Sequence, residues 1–313
     1  MKFQLPKAPQ TPPPEVPKNT FGKLLTSTPV IMTVVSTLMA GLSQSEMTRG
    51  QYDRSTAAQI QAKVGDQWSF YQARRLRSAS IRGSEIILTS TSDTSRLKPE
   101  VLRQALASFP GEQPVSALLE TLVKGTLPGD WPKTQPSPLI QSALDGIASG
   151  KSDRELSPLL ARIPPDEVAT ALEAAQTNSA AFDRAMGHLG EGLDQWERRL
   201  ERQLAISPET TRPLWRDFAA ARMHLDALRL DAEAKLSRPV ADLLELQVRQ
   251  SNRDAERHRV RSGRFFIGML ASQLAVVMAT FALAVQRRNT IWAVAASLGL
   301  AAIGFGVYVY LHD

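Results

Sequence analysis

The side chains best equipped for chemistry are four histidines, His188, His224, His258 and His312. An imidazole can ligate a metal or move a proton. Either task needs partners at defined spacing, as in H-E-x-x-H, where two rings share one helix face. No two of these histidines lie within four residues of each other. His258 sits among Arg257, Arg259 and Arg261, a poor place for another cation. All four therefore read as exposed or headgroup-facing. Cysteine is absent, which excludes disulfides, thiolate metal sites, iron–sulfur clusters and cysteine nucleophiles. The phosphate-cradling G-x-x-x-x-G-K loop, the dinucleotide G-x-G-x-x-G turn and the G-x-S-x-G nucleophile elbow are missing. Carboxylates are plentiful, but Glu197 with Arg198 and Arg202, and Glu201 with Arg198, read as ion pairs on a solvated helix face. This pattern assigns no catalytic residue, no cofactor and no metal, and the expectation is a protein that is not an enzyme.

One cluster is richer. In Asp66-Gln67-Trp68-Ser69-Phe70-Tyr71-Gln72-Ala73-Arg74, a helix sets Gln67 four residues from Tyr71 and Trp68 four from Gln72. Trp68 and Arg75 are seven apart, on the same side. One face then carries an aromatic pair flanked by amides. It can be a helix–helix packing seam with internal polar bonds, or a ligand-binding cluster built on Trp68 and Tyr71.

The elements that must position these residues are dominated by two apolar runs at the end of the chain. Residues 265–285 and 291–311 contain no charged side chain. About 20 apolar residues in a helix cross a bilayer core. The five-residue link Gln286, Arg287, Arg288, Asn289 and Thr290 makes the pair an antiparallel transmembrane hairpin. Gln273 is the amide of the first run, and a polar side chain in lipid is expected to bond across helices. No ionisable residue lies in either run, unlike the usual transporter. Ala271, Ala275 and Ala279 form one stripe of small residues; Ala295, Gly299, Ala302 and Gly306 form another. Such stripes allow close helix approach: one within the hairpin, the other toward a first span, a second copy or a foreign subunit.

Upstream, residues 1–23 form a Pro-rich tail, extended and solvated. Residues 24–42 are uncharged but rich in Ser and Thr. Signal peptide, signal anchor and interfacial helix compete, and the long preceding tail favours an uncleaved anchor. Residues 43–85 read as an amphipathic helix continuing from that segment, with Ile60, Val64, Trp68 and Tyr71 on one face. Residues 86–164 are chopped by prolines, giving short helices near 99–107, 115–123, 139–148 and 153–161, or a partly disordered loop. Ser152 and Glu155 make a capping box. Residues 165–264 restore long helices: one to about residue 205, a turn over 206–213, a second from Leu214, and a third started by Pro239 that runs on into the span. The predicted fold class is an all-α integral membrane protein: an N-terminal span, long amphipathic helices forming a stalk or bundle, and a C-terminal transmembrane hairpin.

The stretch from Asp66 to Arg74, together with the terminal spans around Gln286-Arg287-Arg288, resembles an uncharacterised bacterial membrane family, domain of unknown function 4337. That family has an N-terminal span, a helix with a D-Q-W-x-x-Y-Q-A-K-like motif, and a closing hairpin with a basic turn. Arg74 stands where lysine is usual, which keeps the charge. The likeness covers about half the chain and is absent over residues 86–166. It implies a multi-pass topology in a bacterial inner membrane and brings no activity.

The net charge is +6. Without a nucleic-acid reader motif, the basic excess points to lipid headgroups, and nucleic acid is not expected as a partner. Arg257, Arg259, Arg261, Arg264, Arg287 and Arg288 are the candidates for headgroup contact and for setting topology. Lys2, Lys7, Lys18 and Lys23, with the basic turn, draw the N-terminus and the turn to the cytoplasm and leave the helical section outside. The arginines before residue 265 pull the other way. The function expected is a non-enzymatic scaffold or accessory subunit that oligomerises or joins a larger membrane complex through its helices. A membrane-anchored ligand sensor is the alternative, and a channel component a third.

Overall fold

A computed structural model describes residues 20–107, 115–129, 131, 135–285 and 288–312. The Pro-rich tail up to residue 19, with Lys2, Lys7 and Lys18, and the turn residues Gln286 and Arg287 lie outside the described residues. Among those described the regular structure is all helix: α1 (Thr20–Thr91), α2 (Pro99–Ala107), α3 (Val115–Lys124), α4 (Pro138–Ala148), α5 (Asp153–Leu160), α6 (Pro165–Ile206), α7 (Pro208–Ala284) and α8 (Arg288–His312). They form two compact units. Unit 1 takes residues up to Ser55 and those from Ser251 onward; unit 2 takes Thr56–Gln250. The 72-residue α1 and the 77-residue α7 each contribute to both.

Unit 2 buries apolar side chains in two clusters. In one, Ile60 and Val64 of α1 meet Ile140 of α4, Leu156 and Leu160 of α5, Val168 of α6 and Leu243 and Leu246 of α7. In the other, Leu102 of α2 and Leu122 of α3 meet Leu193, Trp196 and Leu200 of α6 and Phe218 of α7. Burying each such side chain contributes about 1.5–3 kcal/mol. The short helices start where local chemistry starts them. The Ser137 hydroxyl accepts from the Ile140 N–H ahead of α4, and Ser152 and Glu155 close a reciprocal capping box on α5. Residues 86–164 thus supply four helices to unit 2 among the described residues. Gly192 gives α3 its seat on α6: a Cβ there would lie 2.8 Å from the Leu118 Cδ2.

Two prolines depart from the sequence expectation. Pro213 and Pro239 both lie inside α7, and the turn between α6 and α7 is reduced to Ser207. An internal proline loses a backbone bond and costs about 3 kcal/mol. After Pro239, α7 immediately buries Val240, Ala241, Leu243, Leu244, Leu246 and Val248, and that burial outweighs the lost bond.

Unit 1 is sorted the opposite way. Its buried positions are mostly small or hydroxyl-bearing: Thr28, Ser36, Ser272, Ala275, Ala279, Ala282, Ala295 and Ala302. Most of its large apolar side chains are exposed, among them Val30, Leu38, Ile267, Phe281, Leu300 and Leu311, while Met32, Met39, Phe265 and Val309 are buried. Three helices, α1, α7 and α8, contain segments long and apolar enough to cross a membrane.

Candidate functional site

The small-residue stripe of α8, together with Gly268 and Ser272 of α7, is where α1 docks on the hairpin. A Cβ at Gly299 would run into the Met32 Sδ, and one at Gly306 into the Met39 Cε. On α7, a Cβ at Gly268 would lie 2.7 Å from the Met39 Sδ. Two methionines of α1, seven residues apart, therefore sit in glycine-lined hollows, as close helix packing requires. Ala275, Ala279, Ala295 and Ala302 are buried and Ala271 is half-buried. The Trp292 indole N–H donates to the Thr28 hydroxyl at 3.0 Å, which fixes the start of α1 near the start of α8. The start of α1 and the hairpin turn thus share one end of unit 1. Gln273 is exposed; the buried polar residue of this segment is its neighbour Ser272.

At the other end of these apolar segments, α1 and α7 are laced together. Ser43 donates to the Ser262 carbonyl at 3.0 Å, and Ser262 donates to the Ser43 carbonyl at 2.9 Å. One turn further on, Glu46 is buried, with its carboxylate 2.6 Å from the His258 Nδ1 and 3.4 Å from the Arg261 guanidinium. The His258 Nε2 lies 3.7 Å from Asp53. His258 is thus held between two carboxylates of α1, and the exposed imidazole expected from its arginine neighbours is not what forms. The flanking arginines follow it along α7, whereas its ring crosses to α1, 212 residues away. The carboxylates occupy opposite ring nitrogens, so they cannot share one metal ion with it. An imidazolium here can donate to both at once. Of the other arginines, Arg257 and Arg259 are exposed and Arg264 is half-buried, while Arg288 opens α8.

In unit 2 the Trp68 and Tyr71 rings meet edge-on at 5.6 Å, and Trp68 packs against the first apolar cluster. Gln67 is half-buried and Gln72 exposed. The residue that reaches furthest is Arg74, at the end of the motif. It lies over the Phe70 ring at 3.4 Å, contacts Glu233 of α7 at 3.0 Å and approaches Asp183 of α6 at 3.9 Å. Burial raises the Glu233 carboxyl above the usual range despite the pull of Arg74 and Arg229, and burial likewise lowers the Arg74 guanidinium. The pair's attraction therefore does not fully offset its desolvation. The network continues along α7: Arg229 lies near Glu233 and Asp226, and Arg222 bonds Asp194 and Glu197 of α6. Glu197 pairs across helices with Arg222. Arg75 and Arg82 both reach Asp231.

Comparison with protein-family models, with curated proteins and with solved structures finds no match for this chain. Among the described residues no group of three or more His, Asp or Glu is arranged to hold a metal ion.

Proposed function

We propose that this chain is an integral membrane scaffold or accessory subunit, without enzymatic activity, that associates through its helices with a second copy or with a larger membrane complex. The observation that carries the reading is the exposed amide of Gln273. It sits in the apolar segment of α7 among the exposed Leu270, Leu274 and Val277. In hydrocarbon an amide without a partner is costly, and a neighbouring span is the usual remedy. Membrane insertion itself is supported by the sorting of unit 1, large apolar residues outside and small ones within. In water that arrangement would expose a patch far above what a monomer tolerates.

The same reading places the chain in a bacterial inner membrane as a three-span protein, in line with the resemblance to domain of unknown function 4337. The start of α1 and the hairpin turn share one side, so the basic residues preceding α1 and those of the turn act together. They put that side in the cytoplasm and the helical section outside. Reporter fusions at Asp313 and within residues 146–150 test this, and both should report the outside.

Association is tested by mass measurement of the purified full-length protein in detergent. We expect a dimer or higher species, or a co-purifying membrane subunit. Gln273→Leu should weaken self-association by about 0.6–2 kcal/mol, roughly 3- to 30-fold. A stable monomer without partner sinks the proposal.

A further inference from the structure

We infer that unit 1 carries a binding groove for one anionic phospholipid, between α1 and α7 just beyond their apolar segments. The groove has a volume of about 370 Å³ and is lined by Met47, Gly50 and Arg54 of α1 and by Ala255, Arg259 and Phe266 of α7, among others. That volume lies within the usual range for small-ligand sites, about 300–1,000 Å³. Its walls are overwhelmingly apolar, and Met47 and Phe266 stay about half exposed beside it. An apolar hollow of this kind suits an acyl chain.

The rim supplies the complementary charge. Arg54 and Arg259 line the groove and no carboxylate does. Both arginines reach the exposed Glu256, at 3.7 and 2.6 Å. Two guanidiniums against one carboxylate leave one net positive charge, the match for a single phosphodiester. The depth is right as well. Arg259 lies six residues before Phe265, about 9 Å along the helix axis, and a long side chain there can rest at the headgroups. Two glycines open the space. A Cβ at Gly50 would lie 3.2 Å from the Ala255 carbonyl, so the helices touch at the back of the groove. A Cβ at Gly263 would meet nothing within 4 Å, so the front is empty.

This site rests on membrane insertion of unit 1, and the experiment separates the two. Full-length protein in detergent is titrated with phosphatidylglycerol or phosphatidylcholine and retained lipid is counted by native mass spectrometry. Carbonate extraction of membranes tests insertion in parallel. We expect one phosphatidylglycerol held at least fivefold in preference to phosphatidylcholine. Arg54→Gln with Arg259→Gln should abolish the preference. Gly263→Leu, whose Cβ meets nothing within 4 Å and whose side chain would enter the groove, should abolish retention while leaving circular dichroism unchanged. Arg257→Gln, an exposed arginine that does not line the groove, should leave both intact. Equal retention of the two lipids, or a loss in Arg257→Gln matching that of the rim pair, overturns the groove and leaves a general basic collar. Release of the protein by carbonate removes the membrane reading itself.

Discussion

The two units of this chain bury opposite kinds of residue. Unit 2 hides Phe182, Phe218, Leu102, Leu122 and Ile140 and turns its charges outward or into ion pairs. Unit 1 hides mostly alanine, glycine, serine and threonine, with Met32, Met39, Phe265 and Val309 among them, and turns most of its Phe, Leu, Ile and Val outward. Helices driven together by water bury their largest apolar groups. Helices in lipid gain nothing from that exchange and are held by close backbone approach and hydrogen bonds. Both solutions occur within α1 and within α7. On the membrane reading proposed above, the change of rule along one helix reflects a change of solvent and not of helix type.

The contrast predicts opposite mutational responses. Phe218→Ala in unit 2 should cost about 3–5 kcal/mol, the penalty for a large cavity. Phe281→Ala in unit 1, at a position 59% exposed, should leave stability nearly unchanged in detergent. Urea and thermal unfolding followed by circular dichroism compare them directly. Equal costs would remove the distinction between the two units.

Arg74→Met should follow, at about 2 kcal/mol near neutral pH, since it leaves a half-buried carboxylate short of a partner. Its pH dependence has a definite sign. Folded Glu233 holds its proton more tightly than unfolded Glu233, because burial raises its carboxyl. Stability therefore falls as pH climbs from the ordinary glutamate range through the raised folded value. Arg74 limits that fall. Without it the carboxyl rises further, so the variant should be worst above this window and closer to wild type below it. A loss that is independent of pH would assign the effect to packing on Phe70 alone.

In unit 1 the matching lesion is too much volume. Gly299→Leu drives a side chain into Met32 and should cost about 1–3 kcal/mol. Gly304→Leu, where a Cβ meets nothing within 4 Å, should be close to neutral. Circular dichroism in detergent, monitored during thermal unfolding, reads both. The order Gly299 over Gly304 tests which face of α8 receives α1.

How much of this was legible in the sequence follows from the range of the interactions. The short helices α2, α4 and α5 announced themselves through Pro99, Pro138 and the Ser152–Glu155 box, because helix starts depend on a few neighbouring residues. The Ile60, Val64 and Trp68 face followed from spacing on one helix. Pro213 and Pro239 misled, since a local breaker is overridden when residues just beyond it enter a core. His258 misled for a related reason: its arginine neighbours are adjacent in sequence, whereas Glu46 comes from a different helix. The glycine stripes were visible, but not the methionines that fill them, because nothing local in α1 marks Met32 and Met39 among its other apolar residues. The outward placement of Gln273 was equally hidden, because Ser272 beside it could have turned out in its place.

The smallest effect lies within unit 1, at the polar end of its apolar segments. Ser43 and Ser262 exchange two hydrogen bonds at the boundary between the apolar segments and the charged cluster of Glu46, His258 and Arg261. Each carbonyl involved lies within a helix, so truncating either serine removes one donor and does not leave that carbonyl wholly unpaired. Ser43→Ala and Ser262→Ala should therefore each cost about 0.5–1 kcal/mol. The double-mutant cycle carries the information. The hydroxyls also lie 3.2 Å from each other, so their losses should be less than additive. A coupling near zero would mean that each hydroxyl is satisfied separately. The two serines would then act as independent links between α1 and α7, beside the contact of Glu46 with His258 and Arg261.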